Sequence, residues 1–241
     1  MKLAHENRVV AEHNFEKLKQ GKHPIVAIAA KHNSNVASKL SAEEFEGLAP
    51  QLHLSKGVPV MLTRNLWINK GLCNGSRGIV QHIVYDDSYT ANSLPVAVVV
   101  KFDSYKGPAF AHNLEQCVPI PPLTCQVEKG CQILERQQLP LKLCYAITIH
   151  KSQGLTLDKV FIDLGRHEKT TGLSYVAISR VRKLEDLLIE PMSFERLTSI
   201  NKNKNLKYRL EEENRLENLA ISTKHHFNAG EITNSTYADF L

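Results

Sequence analysis

The stretch LKLCYAITIHKSQGLT, Leu141 to Thr156, decides how this chain is read. Its first eight residues are apolar and β-branched enough to predict a buried strand ending at Thr148. A polar turn follows, with Gly154 where backbone can approach a ligand closely. Thr148, His150, Lys151 and Ser152 place hydroxyl, imidazole and ammonium groups there, the kinds that suit phosphate oxygens. From composition alone the same residues also make an ordinary polar loop, and both readings stand at this point.

Working outward, the alternation of strand and helix continues on the C-terminal side. Residues 159–165, KVFIDLG, predict a strand, Thr171 to Val181 a helix, and 186–190, DLLIE, a third strand. Upstream, Glu6 to Leu18 predicts a helix with Val9, Val10, His13 and Leu18 as its less polar stripe. Residues 24–30 and 58–64 predict strands, and Ser41-Ala42-Glu43-Glu44 matches a capping box that should start a short helix ending near Gly47. Between these flanks, turn residues punctuate short apolar runs at 78–85, 95–102, 115–120 and 131–138, the texture of a small β-barrel or antiparallel sheet. The expected organisation is an α/β domain over 1–69 and 140–196, interrupted at 70–139 by a β module and followed by a polar, partly helical tail at 197–241. In that tail, 206–221 has helical charge patterning on a thin apolar stripe of Leu206, Leu210, Leu216 and Leu219.

Of 241 residues, 42% are hydrophobic and 23% charged, which argues against global disorder and against a disulfide-stapled miniprotein. No run approaches the ~20 apolar residues of a membrane span, and the first residues lack the apolar core of a signal peptide, so a soluble intracellular chain with no membrane partner is expected. The net charge of +5 permits an anionic partner without requiring one; the excess lies in 1–69 and 140–196, while 70–139 is neutral. Five cysteines, at 73, 117, 125, 131 and 144, include no C-x-x-C pair and no metal-ligand spacing with the histidines. Free thiols and no bound metal are expected.

Two further segments bear on chemistry. Ser174-Tyr-Val-Ala-Ile-Ser-Arg180-Val-Arg182, with Lys183, puts basic side chains at the end of an apolar helix. They complement the helix dipole, or Arg180 projects into a phosphate site on a partner domain. Gly71-Leu-Cys-Asn-Gly75-Ser-Arg-Gly78 marks a chain reversal between strands. Trp67, just before it, is expected in a core or hinge.

In their order along the chain, Gly57-Val-Pro-Val-Met-Leu62, Gly71–Gly75, Thr148–Thr156 and Tyr175–Arg180 resemble the C-terminal half of the petite-integration-frequency (Pif) type DNA helicases. With the RecD-like enzymes, these form the 5′-to-3′ branch of helicase superfamily 1. The resemblance implies a second RecA-like domain with an inserted barrel of Src-homology type beginning near Gly71–Gly78. It implies ATP and Mg2+ as cofactors and single-stranded DNA as partner. Thr148, His150 and Lys151 would contact DNA, and Gly154 and Thr156 would lie toward the nucleotide. Arg180 would act as the catalytic finger on the γ-phosphate, a role worth ~10³–10⁵ in rate.

The sequence departs from that family in one respect. It contains no G-x-x-x-x-G-K-[ST] and no Asp-Glu pair after a strand; Gly21-Lys22 is followed by His23. The first RecA-like domain, which carries those parts and would be required in cis or in trans, is thus expected to be missing. This chain alone would then be inactive toward ATP. A non-catalytic strand-binding relic, a split partner and a viral-type RNA helicase half are the competing readings. The resemblance also implies genome maintenance (repair, recombination, telomere maintenance) or a mobile element, and the nucleus or the mitochondrion.

Overall fold

The computed structural model describes residues 1–88, 90, 93–130, 132–164, 172–191, 194–198 and 206–224. In chain order the elements are β1 (Lys2–Ala4), α1 (Asn7–Lys19), β2 (Val26–Ala29), β3 (Lys31–His32), α2 (Asn35–Lys39), β4 (Gln51–Leu54) and β5 (Pro59–Leu62). Then come β6 (Arg77–Val84), β7 (Ala97–Phe102), β8 (Cys117–Ile120), β9 (Leu123–Lys129) and β10 (Gln132–Gln138). Last are β11 (Leu141–Leu143), β12 (Ala146–Thr148), β13 (Val160–Asp163), α3 (Leu173–Ile178), β14 (Leu187–Ile189), α4 (Phe194–Thr198) and α5 (Leu206–Lys224). The chain divides into one compact unit of Met1–Asp163 with Tyr175–Glu190, and a second of Leu164–Ser174 with Pro191–Leu241.

A parallel sheet in the order β12-β1-β13-β14 carries the α/β character. One of its two inner strands is Lys2–Ala4, three residues too short to show a period in the sequence. The predicted strand over 141–148 is divided between two sheets. Leu141–Leu143 runs antiparallel to β5, and Ala146–Thr148 runs parallel to β1. The backbone changes partner in between, where Cys144 N–H donates to Pro59 O and Tyr145 O accepts from Lys2 N–H, each at 3.0 Å.

The five-stranded antiparallel sheet β11-β5-β6-β7-β8 collects the predicted runs at 58–64, 78–85, 95–102 and 115–120. It extends past both expected boundaries, because Pro59–Leu62 and Leu141–Leu143 pair within it. Its core includes Val60, Leu62, Val98, Val100, Phe102 and Leu141, all fully buried. At ~1.5–3 kcal/mol per fully buried large apolar side chain, such a cluster dominates the folding of this sheet. Gly71 lies at φ +82, and a Cβ there would meet the backbone oxygen of Ser104 at 2.1 Å, so the reversal read at 71–78 demands glycine. Trp67 corrects the core expectation: it is 46% exposed, and only its backbone is bridged, to Leu72.

A second small core (Ala37, Phe45, Leu48, Cys125, Leu134) lies beside the sheet β3-β10-β9. At its centre the fully buried Arg136 donates to the carbonyls of Ala37, Leu40, Ser41 and Leu48 at 2.7–3.1 Å. Its guanidinium stacks 4.2 Å from the Phe45 ring centroid. The capping box forms in one direction, Ser41 N–H donating to Glu44 Oε2, and opens a 3₁₀ turn at Glu43–Phe45 in place of an α-helix. Glu46 and Gly47, both at positive φ, stop it.

Helix α1 agrees with the expected span; of the expected stripe Leu18 is buried while Val9, Val10 and His13 are half-buried, and Asn14, outside the stripe, is buried as well. The Asn14 amide donates to Ala146 O at 3.0 Å and accepts from Ala146 N–H at 2.8 Å. That pairing supplies the sheet-edge strand β12 with the neighbour it lacks. In the second unit, residues 207–223 of α5 are exposed, and the helix carries the i,i+4 pairs Lys207–Glu211 and Arg209–Glu213. Cys73, Cys117, Cys125 and Cys144 are free thiols; Cys131, Gly165 and Thr171, ends of predicted elements, lie outside the described residues. Among the described residues no helix is long and apolar enough to cross a membrane, and no cluster of metal-ligating side chains occurs.

Candidate functional site

The C-terminal ends of the parallel strands converge at Thr148, Ala4 and Asp163, which stand in register across the sheet. In open α/β sheets, ligands bind outside these carboxyl ends. The loop from Ile149 to Leu157 leaves from here. It is anchored at its start by Ile149 N–H donating to Ala4 O at 2.9 Å, and at its end by Leu157 N–H donating to Arg180 O at 2.8 Å.

Within the loop, His150–Ser152 forms one 3₁₀ turn. Ser152 is fully buried and donates to Ile149 O at 2.7 Å, so its hydroxyl shapes the loop and faces no solvent. Thr148 is 7% exposed, and its hydroxyl accepts from the backbone N–H of Lys151 at 3.4 Å. His150, Lys151, Gly154 and Thr156 are exposed. Gly154 is at φ +79 with open space where a Cβ would project.

Arg180 binds this loop through its guanidinium. Its Nη1 donates to Ser152 O at 3.4 Å and to Leu155 O at 3.3 Å, its Nε to Val176 O at 2.6 Å, and its Nη2 to Ser179 Oγ at 2.7 Å. The two sequence segments singled out for chemistry are therefore one structural object. Five of the six predicted site residues lie on the loop or at its start, and the sixth clasps it.

Sequence reasoning missed two groups at this edge. His5 follows strand β1; its Nε2 is 3.4 Å from Glu6 Oε1, and its buried Nδ1 has no hydrogen-bond partner among the described residues. Lys142 lines a cleft of about 410 Å³ beside β12, together with Lys151 and Thr148. Burial, and then the neighbouring Lys151 ammonium, push the Lys142 pKa down to about 8. No motif signals it, because it lies seven residues before the conspicuous turn. Burial pushes the Cys144 thiol up to about 11, which removes it as a nucleophile near neutral pH.

Comparison with known proteins bears on both halves of this geometry. Residues 42–83 match the family model "DNA helicase Pif1, 2B domain", and residues 140–213 match the family model "Helicase". ATP-dependent DNA helicase PIF1 of Homo sapiens is 37% identical over 164 residues, 67% of this chain and 23% of that protein. Over the matched region the chain belongs to the Pif1 helicase family. The 2B-domain match spans the expected boundary at 69/70, as does the antiparallel sheet. A structure of two Pif1 helicases unwinding forked duplex DNA superposes with a TM-score of 0.65 at 25% identity, covering 90% of this chain and 44% of that one. A Bacteroides Pif1 bound to single-stranded DNA superposes at 0.63 and 24% identity, covering 90% and 46%, which shows the shared fold. The chain thus has the α/β, RecA-like helicase fold of Pif1 proteins and spans less than a quarter of the human relative's length.

Proposed function

We propose that this chain is the strand-gripping, finger-bearing portion of an ATP-dependent 5′-to-3′ DNA helicase, with residues from Pro59 to Leu143 supplying an inserted barrel-like module. The observation that carries the reading is the clasp of Arg180 on the 149–157 loop. A finger that holds the loop through two carbonyls changes the loop whenever it leaves for another acceptor. Phosphate oxygens of ATP bound by a separate phosphate-loop domain would be such an acceptor, since charge-assisted bonds to them are stronger than bonds to neutral carbonyls. The nucleotide state would then be felt by His150 and Lys151, whose exposed side chains would grip single-stranded DNA. Gly154 and Thr156 would face the nucleotide. ATP and Mg2+ would be held mainly by the phosphate-loop domain, because this sequence contains no such loop.

The exposed His150 and Lys151 side chains also fit a second reading, a module that binds single strands without turnover. The test shared by both is fluorescence anisotropy of a labelled dT12 strand across a salt series. Saturable binding is expected, with a log–log salt slope of about −0.7 per phosphate neutralised. Replacing His150 and Lys151 together by Ala should lower both affinity and slope. A flat salt response, or an unchanged double variant, refutes strand gripping at this loop. Adding a Pif1 phosphate-loop half then separates the two readings by whether ATP turns over.

A further inference from the structure

The cleft that opens beside β12 is unusual in its lining. Its walls come from α1, from β4 and from the β11–β12 segment, and among the described residues they carry Lys142, Lys151 and His53 with no aspartate or glutamate. The remainder is largely apolar, including Val10, Phe15 and Leu52. Phe15 and His53 pair edge to face, with ring centroids 5.5 Å apart. At about 410 Å³ it falls within the range of small-molecule sites.

The two ammonium groups that line this one cleft repel each other, and burial of Lys142 worsens this. Among the described residues no acid in the lining offsets it, and the acid that acts on Lys142, Glu43, lies outside the lining. An anion placed between the two lysines turns this repulsion into attraction, and the apolar wall beside them suits a planar base or a sugar.

We propose that this cleft is a nucleotide subsite for single-stranded DNA, in which Lys142 and Lys151 hold one backbone phosphodiester and the Phe15 wall takes the adjoining base. The inference rests on the strand binding proposed above and adds Lys142 and Phe15 to it. The Lys151 ammonium bridges the exposed loop and the cleft, so the strand passes from one to the other without a gap. Thr148 fixes that geometry through its bond to the Lys151 backbone.

The experiment is the dT12 anisotropy titration, repeated with Lys142→Met, Lys142→Arg and Phe15→Ala, each checked by circular dichroism for folding. Met keeps the length and apolar stem of Lys142 and removes its charge. K142M should weaken binding about fivefold or more at low salt and reduce the slope magnitude by about 0.7, one phosphate contact. K142R should restore both. F15A should weaken binding by about fivefold or more with the slope unchanged, as expected for a lost stacking contact. Binding by the parent with K142M and F15A both unchanged overturns the subsite and leaves strand gripping at the loop intact. Absence of any dT12 binding by the parent overturns both. If inorganic phosphate or dTMP displaces dT12 as well as unlabelled dT12 does, the cleft is a site for free phosphate esters and the strand assignment fails.

Discussion

Arg180 and Ser152, 28 residues apart, are joined by a guanidinium–carbonyl bond that Leu155 O shares. The return bond from Leu157 N–H to Arg180 O closes the contact on its other side. Replacing Arg180 by Ala should free the loop without disturbing the parallel sheet, which is held by β1. The expected cost is about 1–2 kcal/mol, the scale of charge-assisted bonds at a half-exposed site. Hydrogen exchange should accelerate at the amides of 152–157 and not at those of β1 and β13. Uniform acceleration would show that the clasp is not local.

Asn14 predicts a sharper effect from a smaller change. Asn14→Asp keeps the shape and the acceptor toward Ala146 N–H, but an ionised carboxylate cannot donate to Ala146 O. A buried carboxylate facing a carbonyl should cost about 2–4 kcal/mol at pH 7. The variant should regain part of that stability as the pH falls below 5, because its folded-state pKa is raised and protonation supplies the missing donor. Denaturant midpoints at pH 7 and pH 4.5 check this; equal losses at both would contradict it.

Arg136 answers the carbonyls at the ends of α2 and of the Glu43–Phe45 turn. Arg136→Met fills the volume but leaves four carbonyls without that partner, at an expected cost of about 3–5 kcal/mol. The loss should concentrate in 31–48 and 123–138, read by hydrogen exchange or by cleavage in 34–48. A variant as stable as the parent would show that water replaces the guanidinium freely.

Lys142 should reveal a conflict between stability and binding. Its folded-state pKa of about 8 lies below the ordinary 10.5, so the folded chain holds this proton less tightly than the unfolded one. The penalty is fully present below about pH 8 and fades as the pH rises toward 10.5. Besides Lys151, the groups that act on it are Cys144 and Glu43, and both favour the charged form. K142M should therefore be more stable than the parent at pH 7, on the order of 2–3 kcal/mol, with the gain shrinking toward pH 10. Thermal melts at pH 7 and pH 9.5 test the sign.

What was legible in the sequence follows period and length. Helix α1 and strands β6 and β7 were read because 13, 8 and 6 residues are long enough to show their pattern. Strands β1 and β12, three residues each, are set by their neighbours in space, and only tertiary pairing reveals that 141–148 serves two sheets. The loop residues His150, Lys151 and Gly154 and the arginine at 180 were legible through their motifs. That Arg180 clasps the loop is a matter of three-dimensional approach, as is the company Lys142 keeps. Trp67 shows the opposite error: a large aromatic residue implies burial, and here the turn it starts holds it outward.

The most direct test of the central claim is ATP turnover by this chain mixed with the phosphate-loop half of a Pif1 relative, with and without dT12. The account predicts hydrolysis that neither half shows alone, that dT12 stimulates, and that Arg180→Ala reduces by about 10³-fold or more. Hydrolysis that is the same with Arg180→Ala as with the parent chain, or that ignores dT12, would contradict it.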